Sequence, residues 1–202
     1  MKKYKLFLFF ITFFIISSVI RADNKVDHKI AVLVNEDIIT SFDIIQRIKL
    51  TAVLNGININ ADNNQMILNN VVDELIQEKV KLQKINEYKI KVDETEYLNF
   101  EENFLKRNNI DRSQLLLSLE DNSINYQELK RLLNSELLWS KLINGLYYRL
   151  TSVSDIEIDE IISKNPNLSN EQAESLVIQR QLDLQSSKLI RDIMNEATVE
   201  YK

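Results

Sequence analysis

The stretch from Ile30 to Ile45 changes its hydrophobic period, and this change constrains the fold more than any other feature of the sequence. Residues 30–34 form a β-rich run, and residues 35–37 supply a turn before the extended pattern resumes. Thr40 then precedes Asp43 by three residues, which is the spacing of a capping box, and the apolar spacing becomes helical. The stretch therefore predicts a hairpin that is followed at once by a helix.

A two-stranded hairpin is marginally stable in water, so this one requires a further strand or a cover of helices. The C-terminus offers the strand, because Thr198, Val199 and Tyr201 form a β-branched and aromatic run after a long helical segment. We expect this run to pair with the hairpin and to bring the two ends of the chain together.

Between the hairpin and the last strand, apolar residues recur at helical spacing, and most segments begin with a capping residue. The predicted helices cover approximately 41–55, 64–88, 93–108, 111–119, 125–150, 154–163 and 169–195. The second has two adjacent apolar rows and should lie near the middle of a bundle. The predicted fold class is mostly α, a helical bundle with a small β-hairpin joined by a C-terminal strand.

Three finer expectations follow from the same patterns. The first helix should bury the face that carries Phe42, Ile45, Ile48 and Ala52. Glu128 should complete a capping box with its partner three residues earlier. The leucine row that starts at Leu138 should continue, buried, to Leu150.

Residues 1–22 are predicted to be a secretory signal peptide. Lys2, Lys3 and Lys5 precede an apolar run over 6–20, and Ala22 suits the residue before the cleavage site. An uncleaved inner-membrane anchor is the alternative, although this run is shorter than the ~20 residues that span a bilayer. Either interpretation places residues 23–202 outside the cytoplasm, and we expect them to form a single domain.

Charge and composition exclude several classes of function. Without residues 1–22 the chain has 21 Lys and Arg against 30 Asp and Glu, a formal net charge of −9. This charge disfavours binding to nucleic acid. The sequence contains no cysteine, which excludes thiol catalysis, thiolate metal sites and a lipid-modified N-terminal cysteine.

The sequence offers no recognisable catalytic residues and no metal or cofactor site. His28 is the only histidine and precedes the hairpin in a polar segment, so it has no second histidine or cysteine with which to bind zinc. The acidic residues between Asp155 and Glu160 lack the glycine of a calcium loop and favour the first turn of a helix.

Aromatic residues on two predicted helices are the candidates for binding. They are Phe100, Phe104, Trp139, Tyr147 and Tyr148. One interpretation is ordinary core packing, since aromatic residues at helical spacing are normally buried. The other is that they line an apolar crevice for extended polypeptide.

Several segments together resemble a known family. They are IAVLVNEDIITSFDI (30–44), NNVVDELIQEKVKLQ (69–83), KIKVDETEYLNF (89–100), SINYQELKR (123–131) and RLTSVSDIEIDEII (149–162). Over about residues 29–163 the chain resembles the N-terminal domain of the SurA family, periplasmic chaperones of outer-membrane proteins. The resemblance implies a helical domain completed by a returning C-terminal helix and strand, which residues 169–202 would supply.

SurA-like proteins usually carry parvulin prolyl-isomerase domains before the returning helix. Here a link over 164–168 stands in their place, and a catalytic domain cannot be built from a loop of that length. The resemblance therefore implies a periplasmic chaperone that binds unfolded outer-membrane proteins without isomerase activity. An envelope scaffold that binds one folded partner is the alternative, favoured if the N-terminus is an anchor. The short link also permits a homodimer in which two copies exchange the last helix.

Overall fold

The computed structural model describes residues 28–202, so the expected signal peptide at 1–22 lies outside the described residues. Strands β1 (Ile30–Val34) and β2 (Asp37–Thr40) are followed by α1 (Ser41–Asn55), α2 (Asn64–Glu87), α3 (Glu94–Arg107), α4 (Arg112–Asp121) and α5 (Tyr126–Tyr147). A 3₁₀ turn (Tyr148–Leu150) leads to α6 (Asp155–Lys164), α7 (Asn170–Glu196) and β3 (Val199–Tyr201). The predicted mostly α fold class is confirmed.

The three strands form one antiparallel sheet in the order β2-β1-β3. β3 pairs with β1, with Val32 opposite Tyr201 and Val34 opposite Val199. Asn35, in the turn between β1 and β2, donates its backbone N–H to the Thr198 carbonyl over 2.8 Å. The predicted pairing of the C-terminal strand with the hairpin is therefore confirmed.

Side-chain caps set most of the helix starts, as the sequence predicts. Thr40 accepts the Asp43 N–H while the Asp43 carboxylate accepts the Thr40 N–H, so the capping box is complete. The same reciprocal arrangement begins α3, α6 and α7. α1 ends at Gly56, whose φ of 62° is the left-handed conformation that glycine adopts without strain.

α2 lies at the centre of the molecule and packs against α1, α5, α7 and the hairpin. Both of its apolar rows face inward, and Val71, Leu75, Ile76 and Val80 are buried. Its N-terminal half forms one core with the sheet, and its C-terminal end joins a second core with α5 and α7. The wide apolar face predicted for this helix is confirmed.

The buried face predicted for α1 was wrong at Ile45, whereas Ile48 does pack against the core formed by the sheet and α2. Ile45 is 45% exposed, whereas Ile44, Arg47 and Leu50 are buried. Arg47 occupies this inner face because Glu78 on α2 and Glu128 on α5 accept hydrogen bonds from its guanidinium over 2.6 and 3.0 Å. A buried charge with two such partners is tolerated where an isolated one is not.

The capping box predicted for Glu128 was also wrong. Asn125 does cap α5, but its side chain accepts the N–H of Gln127. The Glu128 carboxylate instead points into the core, where it accepts hydrogen bonds from Arg47 and Arg131. The charge of Arg47 therefore outweighs the local preference of Glu128 for the helix start.

The end of α5 departs from the predicted leucine row. Leu142 is buried, but the α-helix ends at Tyr147 and Leu150 is 75% exposed in the 3₁₀ turn. α6 then packs against α7 and buries none of its side chains fully. Residues 165–169 join these two helices directly, and no helix in the described part of the chain is long and apolar enough to cross a bilayer.

Candidate functional site

A groove of about 260 Å³ lies where α3 and α7 pack against α5. Its apolar lining consists of Phe100 on α3, Trp139 and Ile143 on α5, and Leu182 on α7. Its polar lining includes Arg107, Glu136, Ser140, Asn144, Gln179 and Asp183. We call it the α5 groove, and it brings together two of the five aromatic residues predicted from the sequence, Phe100 and Trp139.

The helical period of α5 explains the shape of the groove. Glu136, Ser140 and Asn144 are spaced by four residues and therefore lie in one row along the helix. Tyr148 follows in the 3₁₀ turn, where its N–H still donates to the Asn144 carbonyl although Tyr147 before it has a φ of −119°. Its side chain is 54% exposed, so an aromatic ring accessible to solvent lies beyond the end of the groove.

Trp139 forms a wall of the groove while it is almost fully buried, at 4% exposure. Its indole Nε1–H donates to Ser186 Oγ on α7 over 2.9 Å, and Lys81 Nζ lies 5.7 Å from the ring centroid. Lys81 also pairs with Glu136 over 3.1 Å. The ring is therefore held between α2 and α7 in one orientation.

A polar cluster centred on one buried carboxylate fixes α3 against α5 beside Phe100. Glu101 follows Phe100 in α3 and is 1% exposed. Its carboxylate accepts a hydrogen bond from Tyr126 Oη over 2.5 Å and pairs with Arg112 over 2.9 Å. Burial and the bond to Glu101 raise the pKa of Tyr126. The cluster holds the Phe100 wall of the groove in place.

Ion pairs on the surface reinforce the same contact. Lys141 on α5 bonds Glu96 on α3 over 2.6 Å, and Lys130 bonds Glu94 over 3.1 Å. The bond from Lys141 and the Asp93 backbone N–H lower the pKa of Glu96. Each such pair contributes little alone, but both join the two helices that border the groove.

The chemistry of the groove suits the side chains of an extended segment. Its volume is below the range typical of sites for small ligands, so it accommodates one or two side chains. Asn144 donates to the Ser140 carbonyl and Gln179 donates to Asp183, each over 2.8 Å. These amides retain their own carbonyl oxygens as acceptors for a main-chain N–H, whatever the sequence that carries it.

The other predicted aromatic residues lie elsewhere. Phe104 is partly buried and packs on the core formed by α1, α3, α4 and the first half of α5. Tyr147 is partly buried against the core formed by α2, α5 and α7. Only Tyr148 of these three presents much of its ring to solvent.

Further exposed apolar surface on α6 and α7 was not identified from the sequence. Ile156 on α6 is 80% exposed and Leu184 on α7 is 63% exposed, and an open concavity of about 570 Å³ lies along Leu168 and Leu176. Leu176 and Leu184 are eight residues apart and lie outside the main apolar face of α7. That spacing is the sequence signal by which this surface could have been found.

Within residues 28–202, no group of three or more His, Asp and Glu side chains is arranged to hold a metal ion. The side chain of His28 is exposed, and its ring centroid lies 4.9 Å from that of Phe42.

Comparison with known proteins gives a family match over more than half of the chain. The model of the SurA N-terminal domain family matches residues 26–143. A protein of Ralstonia nicotianae named Chaperone SurA is 30% identical over 140 residues, which cover 69% of this chain and 28% of that protein. Chaperone SurA of Vibrio vulnificus is 26% identical over 151 residues, which cover 71% and 34%. The chain thus spans about a third of the length of these relatives.

A solved structure comes from work on two Campylobacter jejuni proteins, the virulence factor PEB4 and the periplasmic protein Cj1289, which are described as structurally related SurA-like chaperones. It is 15% identical to this chain, with a TM-score of 0.42. The match covers 86% of this chain and 98% of the solved chain.

Proposed function

The chain belongs to the SurA N-terminal domain family, and on this premise we propose that it is a periplasmic chaperone that binds unfolded outer-membrane proteins without prolyl-isomerase activity. Its clients would be extended segments in which aromatic or aliphatic side chains recur. The same premise supports export by the N-terminal 22 residues.

The observation that carries the proposal is the α5 groove. Phe100 and Trp139 supply the apolar part of a largely polar lining, Asn144 and Gln179 supply sequence-independent acceptors, and Tyr148 lies exposed in the 3₁₀ turn beyond the end of α5. A client side chain that enters the groove removes apolar surface from water without requiring a fixed client sequence. Aromatic side chains suit this role because they bury a large area for little lost rotamer freedom.

The shallow groove implies weak contacts and rapid release. Most of the gain from burying a few side chains is offset by the loss of translational and rotational freedom. A client must therefore make several such contacts at once, and the exposed apolar residues of α6 and α7 provide further ones. The negative charge of the chain keeps a loaded complex soluble.

The link between α6 and α7 supports binding without isomerase chemistry. α6 ends at Lys164 and α7 begins at Asn170, so the chain returns to the domain after a single turn. A compact catalytic domain at this position would require far more chain than a loop supplies.

The test is suppression of aggregation of a denatured outer-membrane β-barrel protein by the purified chain, residues 23–202, with a prolyl-isomerase assay on the same sample. Suppression for several unrelated barrel proteins, without isomerase activity above background, is the expected result. Isomerase activity would overturn the binding-only part of the proposal. Failure to suppress, together with saturable binding to a single folded envelope protein, would replace the chaperone with a scaffold.

A further inference from the structure

The edge of the sheet formed by β3 is unpaired in the described chain. β3 is the outermost strand, and only β1 pairs with it. The Lys202 N–H donates to the Ala31 carbonyl, and the Thr198 carbonyl accepts the Asn35 N–H, so residues 198, 200 and 202 face β1. The main-chain N–H and C=O groups of Val199 and Tyr201 therefore point outward. An edge of this kind is a template for one more extended strand.

An apolar groove of about 450 Å³ opens at the same edge. It lies between the sheet and α2 and is lined by Ala31, Val32, Ile44, Leu68, Val72 and Tyr201. Tyr201 is opposite Val32 in the sheet and therefore lies on the core face, yet it is 68% exposed. Leu68 and Val72 on α2 are partly buried beneath it. The core face thus continues to the edge of the sheet with no further strand to cover it.

Charge indicates which occupant fits this groove. Asp73 lines the groove, and no hydrogen bond or ion pair within residues 28–202 involves its carboxylate. Glu200, by contrast, lies on the opposite face of β3 and bonds Lys202 over 2.7 Å. A second copy of this acidic chain would bring another Asp73 to the edge, where like charges repel. A strand that carries Lys or Arg complements the site.

We propose that the β3 edge binds an extended segment of an unfolded polypeptide as a fourth strand. The added strand would exchange main-chain hydrogen bonds with Val199 and Tyr201, place an apolar side chain over Leu68 and Val72, and place a basic side chain near Asp73. This inference rests on the proposed chaperone function and specifies a mode of client binding separate from the α5 groove. Main-chain bonds give affinity without a fixed sequence, and the groove selects alternating apolar residues.

The test uses a fluorescein-labelled peptide of about nine residues that alternates Phe with Thr and carries one Arg. Its affinity for the purified chain is measured by fluorescence anisotropy. A second peptide has the same sequence with N-methyl groups on alternate amides, which remove its strand donors on one edge. We expect the methylated peptide to bind about tenfold more weakly, because it loses one or two hydrogen bonds. Equal binding of the two peptides would overturn the inference.

Variants of the chain test the same edge from the other side. Val199→Pro removes an outward N–H and keeps the bonds that residues 198 and 200 make to β1, because proline is tolerated at an edge strand. Because Val199 also packs against the sheet core, this variant should lower the unfolding midpoint, and its affinity is therefore measured per folded molecule, with the folded fraction taken from circular dichroism. On that basis it should weaken the peptide about tenfold. Asp73→Lys should weaken the basic peptide several-fold, whereas Glu200→Lys, a matched charge reversal on the opposite face, should leave affinity within about twofold.

The outcomes separate this inference from the proposed function. Two outcomes would overturn the strand addition alone. In the first, the chain suppresses barrel-protein aggregation but does not bind the peptide. In the second, it does both, and a folded Val199→Pro variant binds the peptide as tightly as the wild type. Loss of both suppression and peptide binding in the wild-type chain would overturn both. The chain could instead form a dimer, fail to bind the peptide and become monomeric in the Val199→Pro variant. That result would assign the edge to a second copy and overturn the inference.

Discussion

Arg47 Nη2 lies 2.6 Å from Glu78 Oε2, and both side chains are almost completely removed from solvent. The same guanidinium donates from Nε to Glu128, and Arg131 bonds Glu128 from the partly exposed side. This network joins α1, α2 and α5, the helices on which the sheet and the α5 groove are built. Its buried charges are stabilising only while each has its partner.

Replacing Arg47 with methionine keeps most of the side-chain volume but leaves two buried carboxylates without their shared donor. We expect Arg47→Met to lower the free energy of unfolding by about 3–5 kcal/mol, measured by urea denaturation. Lys106→Ala, which removes an exposed pair with Glu102, should cost under about 1 kcal/mol. Adding Glu78→Gln and Glu128→Gln to Arg47→Met should recover part of the loss. Equal costs for the two single variants would show that the network is not stabilising.

The same network shows why sequence could predict the helices better than their faces. Local rules sufficed for the ends of α1, because Thr40, Asp43 and Gly56 act within one turn of the helix. The burial of Arg47 depends on Glu78 and Glu128, which lie 31 and 81 residues away along the chain. Hydrophobic periodicity takes no account of such partners, so it could not show that a charged side chain is buried on this helix.

The candidate site, too, could be predicted only in part from the sequence. The sequence identified the aromatic residues, and Phe100 and Trp139 do meet at one groove. It could not show that Phe104 and Tyr147 turn toward two different cores, or that Leu150 is exposed beyond the end of α5. Those outcomes depend on how α3 and α7 pack around α5. Residue spacing within one helix carries no information about that packing.

Tyr148 provides a test of the α5 groove that folding does not confound. The residue is 54% exposed, so Tyr148→Ala should change the free energy of unfolding by less than about 1 kcal/mol. The concentration needed to suppress aggregation of a denatured barrel protein should rise about fivefold, equivalent to about 1 kcal/mol of client contact. Tyr88→Ala is the matched control, because Tyr88 is similarly exposed, at 47%, and follows the end of α2, whereas Tyr148 follows the end of α5. Equal effects of the two substitutions would remove Tyr148 from the site.

Trp139 contributes to both the core and the groove, and two substitutions separate these roles. Trp139→Phe removes the hydrogen bond to Ser186 and should lower the free energy of unfolding by about 1 kcal/mol, as should Ser186→Ala. Trp139→Ala should cost about 3–5 kcal/mol, because it leaves a cavity. Client affinity is then measured per folded molecule. An affinity that remains unchanged in Trp139→Ala would assign Trp139 to the core alone.

The buried tyrosine pair predicts a loss of stability in alkali. Burial, then the hydrogen bond with Tyr126, raise the pKa of Tyr97 well above its ordinary value. The unfolded chain loses this proton near pH 10 while the folded chain retains it, so this contribution to stability is complete below about pH 10 and declines as the pH rises further. Urea midpoints measured from pH 8 to pH 11 should fall less steeply for Tyr97→Phe than for the wild type. Tyr148→Phe, at an exposed position, should follow the wild type.

Asn35 connects the hairpin turn to the C-terminal strand, and its contribution can be divided into two parts. Its φ of 54° is left-handed, its Oδ1 accepts the Thr198 N–H over 2.8 Å, and its Nδ2 donates to Gln83 over 2.7 Å. Asn35→Gly keeps the backbone conformation and loses only the side-chain bonds, so it should cost about 1–2 kcal/mol in urea denaturation.

Asn35→Ala loses the same bonds and also places a Cβ in the left-handed region, which should add about 1 kcal/mol. Hydrogen exchange should report the cause, because the amide of Glu200, which faces β1, should exchange faster in both variants than in the wild type. If alanine and glycine cost the same, the turn has relaxed to a negative φ. If neither variant accelerates exchange in β3, the attachment of the C-terminal strand does not depend on Asn35 and rests on the packing of Val199 against the sheet core.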